Sequence, residues 1–363
     1  MATSEQTNNY AEKFPNAANG HFRTAQNLTI SSIGIGTYLG CWDQETDAGY
    51  TNSVVEFVES GGNVIDTSAN YRFQRSERNI GVSLKKLFEK GFAREEIFIA
   101  TKGGYLPFDN EPPSDVNKYF EENFVKKGFA KPEDLVGGSH CMTPGYLQSQ
   151  IDQSLANMQI DVLDLFYVHN PESQLGAVDK YTFDAKIAKA FEKLEENRTN
   201  GKINFYGVST WNGFRVAPDD KSYHSLERFT GIAKQVGGEN HGFKFIQLPY
   251  NLAMPEAYLL KNQAVQGKVY TVLDAAGKLD VSVMCSASIL QGKLTHSVPF
   301  NIREALGNPL TDAMTSIQFV RSTPNVMTAL VGMSRAAHVE ENMKLAEIAP
   351  VSTEQFEQIF VQE

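Results

Sequence analysis

The sequence predicts an α/β fold, a (β/α)8 TIM barrel with extended loops after strands three and seven. Three observations carry this. Apolar β-like runs alternate with amphipathic helix-like segments, and eight such runs can be counted. The 363 residues also exceed the roughly 250 that such a barrel needs, leaving chain for insertions. Alternation alone leaves a doubly wound sheet open; the count of eight favours the barrel.

Residues 1–25 are polar and aperiodic and read as an N-terminal arm or covering hairpin, with the barrel over 26–363. Strand one is 30–37, Ile-Ser-Ser-Ile-Gly-Ile-Gly-Thr. Val54, Val55 and Val58 then share a helical face that stops at Gly61-Gly62, glycine being the expected helix stop. Strand two is 63–67. Leu84, Leu87 and Phe88 mark the next helix, closed by Gly91, and strand three is 97–102. The connection 104–142 carries Pro107, Pro112, Pro113, Pro132, Gly128, Gly137 and Gly138. A connection this long inside a compact domain is expected to be a lid or a contact surface. Thr143-Pro144 supplies an N-cap and a proline at the first helical position for a helix through about Met158. Strand four is 163–169, followed by the helical face of Ile187, Phe191 and Leu194 before Gly201. Strands five to eight are 205–210, 244–249, 281–286 and 326–332, with a second long connection at 288–310.

Composition narrows the function. Hydrophobic residues make up 41% and charged residues 21%, enough apolar side chain for a sizeable core. A formal net charge of −10 argues against nucleic acid or an anionic membrane as partner. Cys41, Cys141 and Cys285 lack CxxC spacing, so no disulfide framework or zinc ribbon is indicated. The N-terminus lacks a secretory signal pattern, and no apolar run approaches the roughly 20 residues that span a bilayer. A cytoplasmic protein acting on a small molecule is the expectation; the oligomeric state is not legible. Seven histidines show neither H-x-H nor H-E-x-x-H spacing, and His140-Cys141 is the sole adjacent pair of potential ligands, so no metal is expected. Gly34-x-Gly36-x-x-x-Gly40 is one residue too long for a G-x-G-x-x-G dinucleotide fingerprint.

The polar residues fall where barrel chemistry needs them, at the carboxyl ends of strands. Gly36-Thr37 end strand one, Asp66 strand two, Lys102 strand three and His169 strand four. Ser209-Thr210 end strand five, Gln247 and Asn251 strand six, Ser286 strand seven, and Gly332 with Ser334 strand eight. Tyr71 follows Asp66 by five residues. A phenol is a poor acid near neutrality unless a cation lowers its pKa, and Lys102 is the natural candidate. The bland alternatives are a purely structural Asp66–Lys102 ion pair, a loop-start histidine at His169 and an exposed aromatic at Tyr71.

The segments Gly34-Ile-Gly-Thr37, Val64-Ile-Asp-Thr-Ser-Ala-Asn-Tyr71, Ala100-Thr-Lys102, Asp161-Val-Leu-Asp-Leu-Phe-Tyr-Val-His169, Gly207-Val-Ser209, Gln247-Leu-Pro-Tyr-Asn251 and Val331-Gly-Met-Ser-Arg-Ala-Ala-His-Val-Glu-Glu-Asn342 together resemble the aldo-keto reductase family, in order over roughly 30–345. The resemblance implies an NADPH-dependent carbonyl reductase, or the reverse alcohol dehydrogenase, with a catalytic tetrad of Asp66, Tyr71, Lys102 and His169. Tyr71 is then the general acid, Lys102 lowers its pKa, Asp66 holds Lys102, and His169 orients the carbonyl. For the cofactor, the resemblance implies that Gly36, Thr37 and Asp66 border it and that Ser209 and Gln247 bind the carboxamide. It places the stretch Ser286 to Leu294, with Gly292, beside the pyrophosphate, and Gly332, Ser334, Arg335, Glu341 and Asn342 at the adenosine end. Arg335 is the candidate for a 2′-phosphate, which selects NADP, while NAD stays possible. Three positions depart from the family pattern: Ser286 where an aromatic is common, Thr210 where asparagine often follows the serine, and His338 at the usual basic position. The alternative is a cofactor-binding sensor or partner subunit of the same fold with little turnover. Trp42 and Trp211 flank the mouth and suggest an apolar or ring-bearing substrate. Tyr105, Phe108, Tyr119, Phe120, Phe124 and Phe300 either face a pocket or pack internally.

Overall fold

The structure, a computed structural model, describes residues 1–360. Eight parallel strands close on themselves: β1 Ile33–Gly36, β2 Val64–Asp66, β3 Phe98–Gly103, β4 Leu163–His169, β5 Ile203–Ser209, β6 Phe243–Pro249, β7 Ser282–Ser286 and β8 Val326–Gly332. Around them run α1 Gln44–Glu59, α2 Arg75–Glu89, α3 Pro144–Met158, α4 Lys180–Thr199, α5 Leu226–Gly237, α6 Val272–Lys278, α7 Asp312–Ser322 and α8 Ala336–Met343. β8 pairs with β1, so the barrel has no exposed sheet edge. This is the (β/α)8 barrel that the alternation predicts.

The period-two alternation of a strand sorts its side chains into two cores. Val64, Phe98, Ala100, Leu165, Tyr167, Phe245, Met284 and Leu330 form one cluster, the filled barrel interior. Their neighbours Ile65, Ile99, Phe166, Val168, Ile246, Val283 and Val331 pack in the other, against the helices. Each fully buried side chain of this kind stabilises by about 1.5–3 kcal/mol. Truncating Phe245, wholly buried in the interior, is expected to cost about 3–5 kcal/mol, because the surrounding strands cannot collapse into the cavity.

The amino end is closed by the first residues of the chain. A helix spans Ser4–Glu12, and Phe22–Ala25 pairs antiparallel with Leu28–Ser31. Ala25, Leu28 and Ile30 join the interior cluster, so this hairpin plugs the bottom of the barrel. The single run expected at 30–37 is therefore divided. Ser31 pairs with Phe22, and its hydroxyl donates to the Ile33 carbonyl at 2.6 Å, turning the chain into β1.

Two helix details differ from the sequence reading. Phe88 is 41% exposed and does not share the buried face of Leu84 and Leu87. Thr143 precedes α3 but makes no side-chain cap, because its hydroxyl donates to the Phe129 carbonyl at 3.2 Å.

The 104–142 excursion is pinned at its base, where Cys141 N donates to Gly104 O at 2.8 Å and Leu106 N to Ser139 O at 3.0 Å. Together with Tyr146 of α3 it builds a small separate core from Leu106, Phe120, Phe124 and Cys141, with Phe108 and Tyr119 packed on it. Phe300 lies on the other long connection and is 73% exposed. Among the described residues, no helix is long and apolar enough to cross a membrane.

Candidate active site

Strand register brings the site together. β1 and β2 align Gly36 with Asp66. His169 aligns with Ser209, and Ser209 with Gln247. Gly332 aligns with Gly36 and closes the ring. Asp66, Lys102, His169, Ser209 and Gln247 each continue an inward-facing row, as in Phe98, Ala100, Lys102 and in Leu165, Tyr167, His169. The top of the packed interior is therefore polar.

These groups form one network. Lys102 Nζ donates to Asp66 Oδ1 at 2.5 Å and to the Thr67 carbonyl at 2.8 Å. Gln247 Nε2 donates to Asp66 Oδ2 at 2.8 Å, and Gln247 Oε1 accepts from Ser209 Oγ at 3.0 Å. Lys102 is fully buried. Burial pulls its pKa below the usual range, and Asp66 opposes that pull. A buried ammonium and carboxylate are tolerable only when paired and hydrogen-bonded in this way.

Tyr71 lies above the pair, its ring centroid 5.0 Å from Lys102 Nζ and 6.0 Å from the His169 ring. Among the described residues, none hydrogen-bonds its hydroxyl. The expectation that Lys102 lowers the Tyr71 pKa is corrected here: burial pushes the phenol well above 10, and the Asp66 carboxylate adds to it. Both bonds of Lys102 go to Asp66 and the Thr67 carbonyl, so desolvation and Asp66 win. His169 is driven well below its usual value by burial first and then by Lys102, so its imidazole is neutral near pH 7. Its carbonyl accepts from His140 Nε2 at 2.7 Å, and Gln174 Nε2 lies 2.9 Å from His140 Nδ1. These partners place the His140 proton on Nε2. His140 thus braces the β4 exit.

The groups face a cavity of about 490 Å³ lined by Gly36, Thr37, Asp66, Tyr71, His169, Ser209, Gln247, Ser286 and Gly332 among others. Of the remaining expected residues, Lys102, Gly292, Ser334, Arg335, Glu341 and Asn342 lie outside its lining. Arg335 is exposed at the start of α8. Glu341 accepts from Thr311 Oγ1 at 2.6 Å. Asn342 is buried, and its Oδ1 has no described partner. Of the aromatics, Tyr105 and Trp211 line the cavity. Trp42 does not; it stands edge-on to Phe73. Phe120 and Phe124 are internal.

Two of the three departures from the family pattern, at Ser286 and Thr210, have local partners. Ser286 stays on the cavity wall, its carbonyl accepting from Tyr250 N at 3.1 Å, while Asn251 Nδ2 donates to Ala287 O at 2.9 Å. Thr210 turns its hydroxyl to Glu172 Oε1 at 2.7 Å. His338 is exposed on α8.

Sequence reasoning missed Tyr38, Leu39, Asn70 and Asn170 on the cavity wall. They sit one to four residues beyond strand ends, where a loop's path decides orientation and no periodicity reports it.

A polar strand-end network beneath an open cavity on a closed parallel barrel is the active-site arrangement of a (β/α)8 barrel enzyme. The sequence profile of the Aldo/keto reductase family matches residues 32–360. The chain belongs to that family, whose members are NAD(P)H-dependent oxidoreductases. It is 24% identical over 337 residues to the uncharacterised oxidoreductase YqkF of Bacillus subtilis, covering 90% of this chain and 91% of that one. It is 26% identical over 187 residues to the NADH-specific methylglyoxal reductase of Escherichia coli, about half of each chain (50% and 49%). Among solved structures, an aldo/keto reductase from Klebsiella pneumoniae with NADP and acetate superposes with a TM-score of 0.62 at 18% identity, covering 94% of this chain and 96% of that one. An aldo-keto reductase from Bacillus halodurans in its holo form gives 0.62 at 20%, covering 93% and 95%.

The residues present suit a nicotinamide cofactor. Gln247 keeps one amide hydrogen and one lone pair beyond its bonds to Asp66 and Ser209, the donor and acceptor that a carboxamide needs. Asn342 Oδ1 is a buried acceptor awaiting a donor.

Proposed function

We propose that this protein reduces aldehydes or ketones with NADPH, or runs the reverse alcohol oxidation, with Tyr71 as general acid and base. The observation that carries the reading is the gathering of Asp66, Tyr71 and His169 on one cavity wall, with Lys102 buried behind it against Asp66 and the Tyr71 ring. When bound, the cofactor supplies the hydride. As negative charge grows on the substrate oxygen, the protonated Tyr71 hydroxyl donates to it; its raised pKa makes it a weak acid, so the transfer depends on stabilising the phenolate that forms. Lys102, held by Asp66, stabilises the phenolate that proton transfer leaves. Neutral His169 orients the carbonyl oxygen by a hydrogen bond. Ser209 and Gln247 hold the carboxamide edge, and Gly36 and Thr37 border it. Ser286, with Gly292 beyond the cavity, passes the pyrophosphate.

The adenosine end falls to Gly332, Ser334, Arg335, Glu341 and Asn342. The exposed Arg335 guanidinium is free to take a 2′-phosphate with a fork of donors, which favours NADP over NAD. The chain's similarity to a methylglyoxal reductase agrees with a small carbonyl substrate. The test is consumption of NADPH and NADH, followed by absorbance, with a panel of aldehydes and ketones. Carbonyl-dependent oxidation of NADPH in preference to NADH is expected. Tight cofactor binding without turnover on any carbonyl would replace this reading by the sensor.

A further inference from the structure

The cavity mouth holds a feature that the tetrad does not use. Glu172, three residues beyond His169 in the helical turn Pro171–Gly176, has a side chain only 9% exposed. Its Oε1 accepts from Thr210 Oγ1 at 2.7 Å, Trp211 N at 2.8 Å and Asn212 N at 3.1 Å. Its Oε2 lies 3.4 Å from His224 Nε2. Thr210 Oγ1 in turn accepts from Gly213 N at 2.8 Å. The loop leaving β5 is thus wrapped around a single carboxylate. The wrap is tight: a Cβ on Gly213 would meet His224 Cδ2 at 2.1 Å. Burial works against ionising Glu172, but His224 and the loop donors outweigh it and hold its pKa at about 2.

The residue this arrangement presents is Trp211, which lines the cavity yet is 41% exposed. Tyr38, from the β1 exit, lines it too and is 55% exposed. In a closed ring of eight, β1 and β5 stand four strands apart, so their exits face each other across the mouth. Tyr38 also stands edge-to-face on Tyr71 at 4.9 Å, which ties this aromatic pair to the proposed acid. Aromatic side chains on opposite sides of the mouth favour a flat ring between them, through apolar burial and quadrupole contacts.

Resting on the carbonyl-reductase reading of the site, we infer that Trp211 determines specificity for uncharged, ring-bearing carbonyl substrates and that Glu172 is its positioning residue. A short aliphatic aldehyde reaches Tyr71 without touching both walls; an aromatic aldehyde uses them.

The experiment compares kcat/KM for benzaldehyde and propanal in the full chain, with cofactor affinity measured by titration. Wild type is expected to favour benzaldehyde. Trp211→Ala is expected to lower the benzaldehyde-to-propanal ratio at least about tenfold, mainly through KM, and Trp211→Phe to restore most of it. Glu172→Gln is expected to lower the same ratio about threefold, and to lower it no further when added to Trp211→Ala, because both act through one wall. An unchanged ratio in Trp211→Ala, or equal losses on both aldehydes in Glu172→Gln, overturns the inference while leaving the reductase reading standing. Turnover of neither aldehyde by wild type overturns the inference, and the wider panel of aldehydes and ketones then decides the reductase reading separately.

Discussion

The floor of the cavity and its mouth are held by different physics. On the floor, Asp66, Lys102, Gln247 and Ser209 are placed by strand register and satisfy one another inside the barrel. At the mouth, loop positions depend on two carboxylates that collect donors from afar. Glu172 gathers the β5 exit. Asp47, on α1, accepts from Arg72 Nη2 at 2.6 Å, Arg75 Nε at 3.0 Å and Asn79 Nδ2 at 2.9 Å. That second clamp holds an unusual segment. Arg72, Phe73 and Gln74 follow Tyr71 with φ of 48°, 57° and 69°, three consecutive left-handed residues without a glycine. Such backbone persists only where its surroundings over-determine it. Gln74 Nε2 donates to Pro107 O at 3.0 Å and Arg72 Nε to Cys41 O at 2.8 Å, so the turn is also moored to the loops on either side. The floor is placed by strand register, whereas the mouth is placed by two carboxylates and the loop donors they collect.

This contrast can be broken in order of severity. Lys102→Met removes the floor's cation and leaves Asp66 uncompensated. A fall in kcat of at least about a thousandfold, with a stability loss of about 3–5 kcal/mol by urea unfolding, is expected on every substrate alike. Gln247→Leu keeps the volume but strips Asp66 Oδ2 of its donor. Cofactor affinity and kcat should both fall, each on the order of tenfold or more, as read by titration and steady-state rates.

Mouth substitutions should be milder and condition-dependent. The Glu172 pKa is depressed in the folded state, from an ordinary 4.5 to about 2. Its contribution to stability, on the order of 3 kcal/mol, is therefore fully present above pH 4.5 and lost as the pH falls toward 2. The difference in urea midpoint between wild type and Glu172→Gln should shrink steadily from pH 5 to pH 3. A difference independent of pH in that range would mean that the carboxylate charge does not hold the loop. Asp47→Asn should have the smallest effect, a loss of about 1–2 kcal/mol and a several-fold drop in kcat with KM nearly constant. That split marks a displaced Tyr71, where a lost substrate contact would raise KM.

The same contrast explains what was legible in the sequence. Inward rows such as Leu165, Tyr167, His169 follow from strand periodicity, and the rule that strand carboxyl ends face one mouth gathers Asp66, Lys102, His169, Ser209 and Gln247. The eight strands were readable for the same reason. The phenol's pKa was not, because it depends on whether Lys102 is already engaged and on how deeply the site is desolvated. The clamps were invisible as well. The donors of Glu172 lie 38 to 52 residues away, two of them backbone amides, and a backbone amide has no signature in a sequence. The aromatics of 104–142 looked alike as letters, yet Tyr105 reached the cavity while Phe120 and Phe124 formed a separate small core.

The central claim is that Tyr71 carries the proton step and not cofactor binding. It is tested most directly by Tyr71→Phe, measuring NADPH affinity by titration and hydride transfer to an aldehyde in a single turnover. The account predicts an affinity within about twofold of wild type and a transfer rate reduced at least about a thousandfold. Transfer at the wild-type rate in that variant would contradict it.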